Sequence, residues 1–142
     1  MEKLSIESAK IMNERFGMDT IIVLGTLDGE YPAVRQVNSY YEDGAFYVIT
    51  YALSNKMKQI EKNPRVSICG EWFTARGKGI NMGYFGNEEN KEMAEKLRKA
   101  FAAWIDNGHN NFNDKNTIIL KIELEEGVLF SHGTKYEIDF RK

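Results

Sequence analysis

Two Asp-Gly pairs, Asp28-Gly29 and Asp43-Gly44, constrain this chain more than any other feature. Each separates two runs rich in β-branched and aromatic residues. Asp-Gly suits a type I′ turn, which needs positive φ at both central residues and whose twist matches two antiparallel strands. Residues 20–27, 31–42 and 45–51 therefore read as three consecutive strands of an antiparallel meander.

The flanking segments extend this pattern. Residues 4–16 place Leu4, Ile11, Met12 and Phe16 near one stripe of an amphipathic helix that Gly17 stops. Residues 54–63 read as a short helix capped by Ser54, with Pro64 just beyond. Residues 65–72 and 77–85 give two more strands. Residues 88–105 give the longest helix, with Met93, Leu97, Ala100, Phe101, Trp104 and Ile105 on its apolar stripe. A polar loop, 109–116, leads into the alternating run 117–124. Glu126-Gly127 is then expected to turn the chain into 128–131, and Tyr136, Ile138 and Phe140 mark a last strand. No repeat, linker or low-complexity tract divides the chain, so residues 1–142 read as a single domain. The fold class is mainly β with α insertions: six to eight strands and two or three helices. Sequential antiparallel strands with few helical crossovers favour a barrel over an α/β sheet.

Charge and composition exclude several functions. A net charge of -2 gives no electrostatic case for nucleic acid or an anionic membrane surface. No stretch approaches the roughly 20 apolar residues of a membrane span, and the N-terminus has no long apolar region, so a soluble cytoplasmic protein is expected. Cys69 is the only cysteine, which rules out an intrachain disulfide. Its apolar neighbours predict a buried small hydrophobe. His109 and His132 fall in a polar loop and a turn and read as surface residues. Gly77-Lys78-Gly79 lacks the spacing of a phosphate loop and leads into a strand. The eight Phe, seven Tyr and two Trp offer flat surface for a core, an interface or a planar ligand.

One stretch carries chemistry. Thr50, Tyr51, Ser54, Asn55 and Lys56 lie where a strand gives way to a helix. Helix N-termini present unpaired N–H groups and a positive dipole end, which suits a phosphate. Thr50 and Ser54 add hydroxyls, and Lys56 puts a positive charge in a first turn that normally favours acids. Arg35, on the neighbouring strand, could add a forked contact. The same residues also fit a capped surface helix with an exposed lysine and an unrelated arginine.

In order along the chain, residues 20–29, 31–37, 43–50, Ser54-Asn55-Lys56 and Asn63-Pro64-Arg65-Val66-Ser67 resemble the pyridoxamine 5'-phosphate oxidase-like, FMN-binding split-barrel proteins, especially the short general stress protein type. The resemblance covers about the first 70 residues well; beyond them it rests on strand pattern and the late helix. It implies an FMN cofactor and an FMN-dependent oxidoreductase acting on a small molecule. It assigns Arg35, Gln36, Val37 and Asn38 to the phosphate and flavin ring. Thr50 and Tyr51 fall to the ribityl or phosphate part, and Ser54 and Lys56 to the phosphate. Asn55 stands where the oxidase branch carries a second basic residue. The family pattern further implies a homodimer holding FMN in clefts between subunits, with the aromatic segment Trp72-Phe73 and Lys78 reaching the flavin from the partner. The C-terminal Arg-x-His-type element of the true oxidase is missing, which argues against vitamin B6 oxidation. A non-catalytic module holding a flavin, a deazaflavin or haem, and an interaction protein with no cofactor, remain open alternatives.

Overall fold

The two Asp-Gly pairs turn the chain where the sequence places them, in two different ways. In the computed structural model, which describes residues 1–142, β2 (Thr20–Asp28), β3 (Tyr31–Glu42) and β4 (Ala45–Tyr51) form the expected meander. Glu42 pairs with Ala45, leaving Asp43 (φ 46°) and Gly44 (φ 85°) as the central residues of a type I′ turn. Asp28 instead pairs with Tyr31, so the first turn is Gly29-Glu30. Only Gly29 (φ 61°) has positive φ there, which is the type II′ pattern.

Around the meander stand β1 (Glu2–Lys3), α1 (Ile6–Phe16), α2 (Asn55–Lys62), β5 (Arg65–Gly70), β6 (Phe73–Tyr84), α3 (Lys91–Ala100), β7 (Thr117–Ser131) and β8 (Thr134–Asp139). The strands follow the order β1-β8-β7-β4-β3-β2-β5-β6, and β6 pairs back onto β7. Strands β2 to β7 thus close an antiparallel six-stranded barrel, with β8 and β1 added outside the ring on the edge of β7. This is the split-barrel architecture expected from the sequence. No helix is long and apolar enough to cross a membrane.

Several boundaries differ from the sequence expectation. Glu126-Gly127 does not turn: β7 runs unbroken for 15 residues. A Cβ on Gly127 would lie 3.0 Å from both Phe140 and Phe73, so this glycine serves close packing, not reversal. The register of β6 and β7 shifts beside Glu125, whose carbonyl accepts the Phe140 N–H at 2.9 Å. The helix expected over 88–105 starts as a 3-10 turn (Glu88–Asn90) and is regular only over the 10 residues Lys91–Ala100, so the 11-residue α1 is the longest α-helix instead. Beyond it the Trp104 ring stacks on Phe101 at 4.8 Å and its Nε1 donates to Asp19 Oδ2 at 2.8 Å, pulling the chain out of helical register. Strand β5 stops at Gly70, because Trp72 adopts φ 52°, and β6 begins earlier than expected, at Phe73. Cys69 is exposed rather than buried, since the two-residue period of β5 sends Val66 and Ile68 inward and Ser67 and Cys69 outward.

The core fills the barrel and spills over one wall. Phe16 of α1 meets Phe46 and Phe73 at 5.5 Å inside the ring, with Met12, Leu24, Leu120 and Leu129 around them. Helix α2 adds Met57 and Ile60 to the same cluster. A second cluster packs Ala94 and Leu97 of α3, with Phe85, Phe101 and Ile105, against Ala45, Tyr47 and Ile119 on the outer faces of β4 and β7. Apart from Tyr40 and Met82, which pack against this second cluster, the outer faces of β2, β3, β5 and β6 lie open, and Ile21, Val34 and Ile80 stay exposed there.

Barrel closure makes one position intolerant. A Cβ on Gly77 would sit 2.0 Å from the Glu123 carbonyl oxygen, a backbone atom that cannot move without opening the β6–β7 ladder. On Gly79 the nearest atom, at 2.9 Å, is a methyl of the Ile60 side chain, which can give way with α2 where a ladder carbonyl cannot. Gly77→Ala is expected to destabilise the fold by about 3 kcal/mol, at the upper end of overpacking costs, and Gly79→Ala by clearly less. Urea denaturation of both variants measures the difference.

Candidate functional site

Register places Arg35 first. It pairs with Leu24 across β2 and β3, and residues paired in an antiparallel ladder share a face. Leu24 is fully buried, so the Arg35 side chain turns to the inner face, at the margin of the core. Its Nη1 donates to Thr26 Oγ1 at 2.7 Å and to the Leu24 carbonyl at 3.2 Å, and its Nη2 donates to Gln59 Oε1 at 3.1 Å. The buried Thr26 hydroxyl donates to the same Gln59 oxygen at 2.6 Å. Helix α2 delivers Gln59, and three residues earlier on a neighbouring face it delivers Lys56. Lys56 Nζ donates to Thr50 Oγ1 at 2.7 Å, at the end of β4. Ser54 caps the helix, its Oγ accepting the Met57 N–H at 3.4 Å.

The electrostatics of this cluster are one-sided. No carboxylate lies within 4.0 Å of Arg35 or Lys56, although eleven ion pairs of that length form elsewhere. Burial pushes the Lys56 ammonium below its ordinary value, and the positive charge of Arg35 pushes it further the same way. Burial alone lowers Arg35, whose guanidinium still stays charged. The neutral partners, Thr26, Thr50 and Gln59, accept hydrogen bonds and leave both charges uncompensated. An anion placed here meets two cations, two hydroxyls and a helix start.

The other sequence-predicted residues spread away from this cluster. Val37 packs inward against the core, while Gln36 is exposed on the opposite face of β3. Asn38 Nδ2 donates to Asp19 Oδ1 at 3.0 Å, and the other Asp19 oxygen holds Trp104. Tyr51 is exposed at the end of β4, and Asn55 is exposed beside a surface groove that Lys58, Gln59 and Lys62 also line. Trp72 stands 71% exposed on the β5–β6 connection, its strained backbone held by a Phe130 N–H donating to the Trp72 carbonyl at 2.9 Å. Lys78 projects from the outer face of β6, opposite Arg65. No hydrogen bond or ion pair joins Trp72 or Lys78 to Arg35 or Lys56 within one chain.

Sequence reasoning missed Thr26 and Gln59, the two residues that tie Arg35 in place. A signal was available for each. Thr26 continues the inward row Ile22-Leu24, where a hydroxyl needs a partner. Gln59 follows Lys56 by three residues on α2.

The depressed Lys56 has a consequence for stability. Between its lowered folded value and the 10.5 of an ordinary lysine, the unfolded chain binds more protons than the folded one. Lys56 therefore makes stability rise with pH across that window and adds no such slope below it. Replacing it in Lys56→Met is expected to remove this part of the slope, read as the difference between wild-type and variant denaturation curves from neutral pH to about 10.5. Saturating inorganic phosphate is expected to flatten the wild-type slope as well, because a bound anion restores the charged form.

Comparison with known proteins supplies the relatives. No curated protein matches the chain by sequence. Among solved structures, General Stress Protein 26 from Bacillus anthracis str. Sterne superposes with a TM-score of 0.68 at 18% identity, covering 94% of this chain and 100% of that one. A FAD-binding protein from Mesorhizobium loti gives 0.66 at 15% identity, over 87% and 92% of the two chains. A heme binding protein from Mycobacterium smegmatis gives 0.63 at 16%, over 86% of this chain and 53% of that longer one. At these identities the likeness is one of fold. The family model described as pyridoxamine 5'-phosphate oxidase matches residues 10–129, from the middle of α1 to near the end of β7. That span takes in most of the chain and every strand of the closed ring, and the chain belongs to the pyridoxamine 5'-phosphate oxidase family.

Proposed function

We propose that this protein binds FMN, with the phosphate between Arg35 and Lys56, and acts in the cytoplasm as an FMN-dependent oxidoreductase on a small molecule. The observation that carries the reading is the carboxylate-free pair of half-buried cations, which a dianionic phosphate would compensate. Arg35 uses its Nη groups inside the protein but keeps its Nε–H and one Nη2–H for a ligand. The hydroxyls of Thr50 and Ser54 flank Lys56, with Tyr51 and Asn55 beside them. In this reading the backbone of Gln36, Val37 and Asn38 lies along the flavin ring.

The assembly is a homodimer with FMN in clefts between the two copies. Trp72 and Lys78, unattached to the cation cluster within one chain, reach the flavin from the other subunit. The positive φ of Trp72 supports this role, because strain that displays an exposed indole serves better at a contact than in solvent. When bound, the flavin supplies hydride or electron transfer, while the protein binds and orients it.

Reconstitution tests the reading. Protein mixed with excess FMN and desalted is expected to stay yellow. Lys56→Ala should weaken FMN by about tenfold to a hundredfold, the worth of a charge-assisted hydrogen bond, and leave riboflavin almost unchanged. Equal losses for both ligands would remove the phosphate from Lys56, and a colourless protein would end the proposal. Steady-state reduction by NADH or NADPH, with an acceptor present, separates an oxidoreductase from a carrier of flavin, deazaflavin or haem.

A further inference from the structure

The hairpin that joins β5 to β6 is built against turn chemistry. Gly70 pairs with Phe73, so Glu71 and Trp72 are its two central residues. Only Trp72 has positive φ (52°), which is the type II pattern, and that second position calls for glycine or asparagine. An indole there costs backbone strain, and the chain sets its glycine two residues earlier, at Gly70. Type I and type II turns differ in the direction of the central peptide, here Glu71–Trp72. In a type I turn that peptide is turned over and the second residue returns to negative φ.

Arg15, in the last turn of α1, holds the direction. Its Nη1 donates to the Glu71 carbonyl, the oxygen of that central peptide, at 3.1 Å, and to the Phe130 carbonyl at 3.0 Å. The Phe130 N–H in turn donates to the Trp72 carbonyl at 2.9 Å. The carbonyls on both sides of the Trp72 Cα are thereby tied, one by α1 and one by β7. No carboxylate lies within 4.0 Å of Arg15, so its donors are directed at backbone oxygens. A cation in a last turn suits the helix dipole wherever it points, and these two distant carbonyls are an additional target. Gly70 makes the reach possible. A Cβ there would lie 2.8 Å from the ring of Phe16, the residue after Arg15, so the missing side chain lets the end of α1 sit against the turn.

We propose that Arg15 is a positioning residue. By holding the Glu71–Trp72 peptide in its type II direction it fixes where the exposed Trp72 indole points, and so aims it at the flavin of the partner subunit. The inference rests on the contact between Trp72 and that flavin which the proposed function requires. Without Arg15 the peptide is free to turn over, Trp72 relaxes to negative φ, and the indole leaves its place.

The test uses the full chain labelled with 5-fluorotryptophan, which carries two fluorine reporters, Trp72 and Trp104, assigned with a Trp72→Phe sample. In flavin-free protein, Arg15→Met is expected to shift or broaden the Trp72 resonance and leave that of Trp104 in place. Arg15→Lys, which keeps a cation and a donor, should restore part of the wild-type signal. With FMN, Arg15→Met and Trp72→Ala should each raise the dissociation constant by about threefold to tenfold, the worth of an aromatic pair. The double variant should bind no worse than Trp72→Ala alone, since both changes remove one interaction. An arginine that only stabilised the fold would instead give losses that add. The inference is overturned if the Trp72 resonance ignores Arg15→Met, or if the two losses add. Trp72→Ala binding FMN as tightly as wild type would overturn it through the reading it rests on. That failure is distinguishable, because the Trp72 resonance would then still respond to Arg15→Met.

Discussion

The pairing of β6 with β7 closes the barrel, and the remaining structure depends on it. Without that ladder, β6 would be an open edge and the ring around Phe73, Leu124 and Leu129 would gape between β6 and β7. Closure demands close approach, and glycine supplies it twice: Gly77 beneath the Glu123 carbonyl and Gly127 between Phe73 and Phe140. The irregularity at Glu125 belongs to the same device. By slipping the register there, the ladder frees the Glu125 carbonyl to accept from Phe140, which ties the end of the chain to the barrel. The bulge that bends β7 thus also anchors the short segment after β8.

Once the ring is closed, the two helices that pack against its core meet different chemistry. Helix α1 inserts Phe16 among Phe46 and Phe73. Helix α2 buries Met57 and Ile60 but also brings Gln59 to Thr26 and Arg35 and Lys56 to Thr50. Its proximity to the barrel comes from Gly79, under Ile60. The glycines flanking Lys78 therefore work as spacers, one for the β6–β7 ladder and one for α2, and take no part in a phosphate loop. Because α2 is held close, Lys56 is drawn out of solvent toward Arg35, and its depressed basicity results from that packing.

Much of the architecture was legible because turn chemistry and strand alternation act locally. Strands β3 and β4 fall on their expected residues, and α2 differs only in assigning Ser54 and Asn63 to its caps. The misreadings arose where distant residues decide. Gly127 looks like a turn residue until Phe73 and Phe140, 54 positions before and 13 after it, require its missing side chain. The helix after Asn90 shortens because Trp104 finds Asp19, 85 residues away. Cys69 sits in an apolar stretch, yet alternation alone would have turned it outward had the period been applied through Val66 and Ile68. At the candidate site, Arg35, Thr50 and Lys56 were readable as residue types suited to an anion. Thr26 and Gln59 were not singled out, because their role lies in satisfying Arg35 and only the three-dimensional contact reveals it.

The like-charged pair at the candidate site follows a plain physical logic. Arg35 and Lys56 stand together without a carboxylate partner, in a chain whose net charge is -2 and which has carboxylates enough to neutralise both. A domain of this size has a stability margin of only about 5–15 kcal/mol, so uncompensated repulsion is a noticeable fraction of it. An anion that enters such a pair relieves the repulsion as well as forming its own contacts, and because it binds the folded state alone it stabilises that state by mass action. Inserting a carboxylate side chain beside this pair would stabilise the empty protein by the same attraction. It would then have to be displaced before an anion could bind, and the affinity would fall accordingly. Weak intrinsic stability at this place and affinity for an anion are thus the same electrostatic energy, read with the ligand absent and with it present.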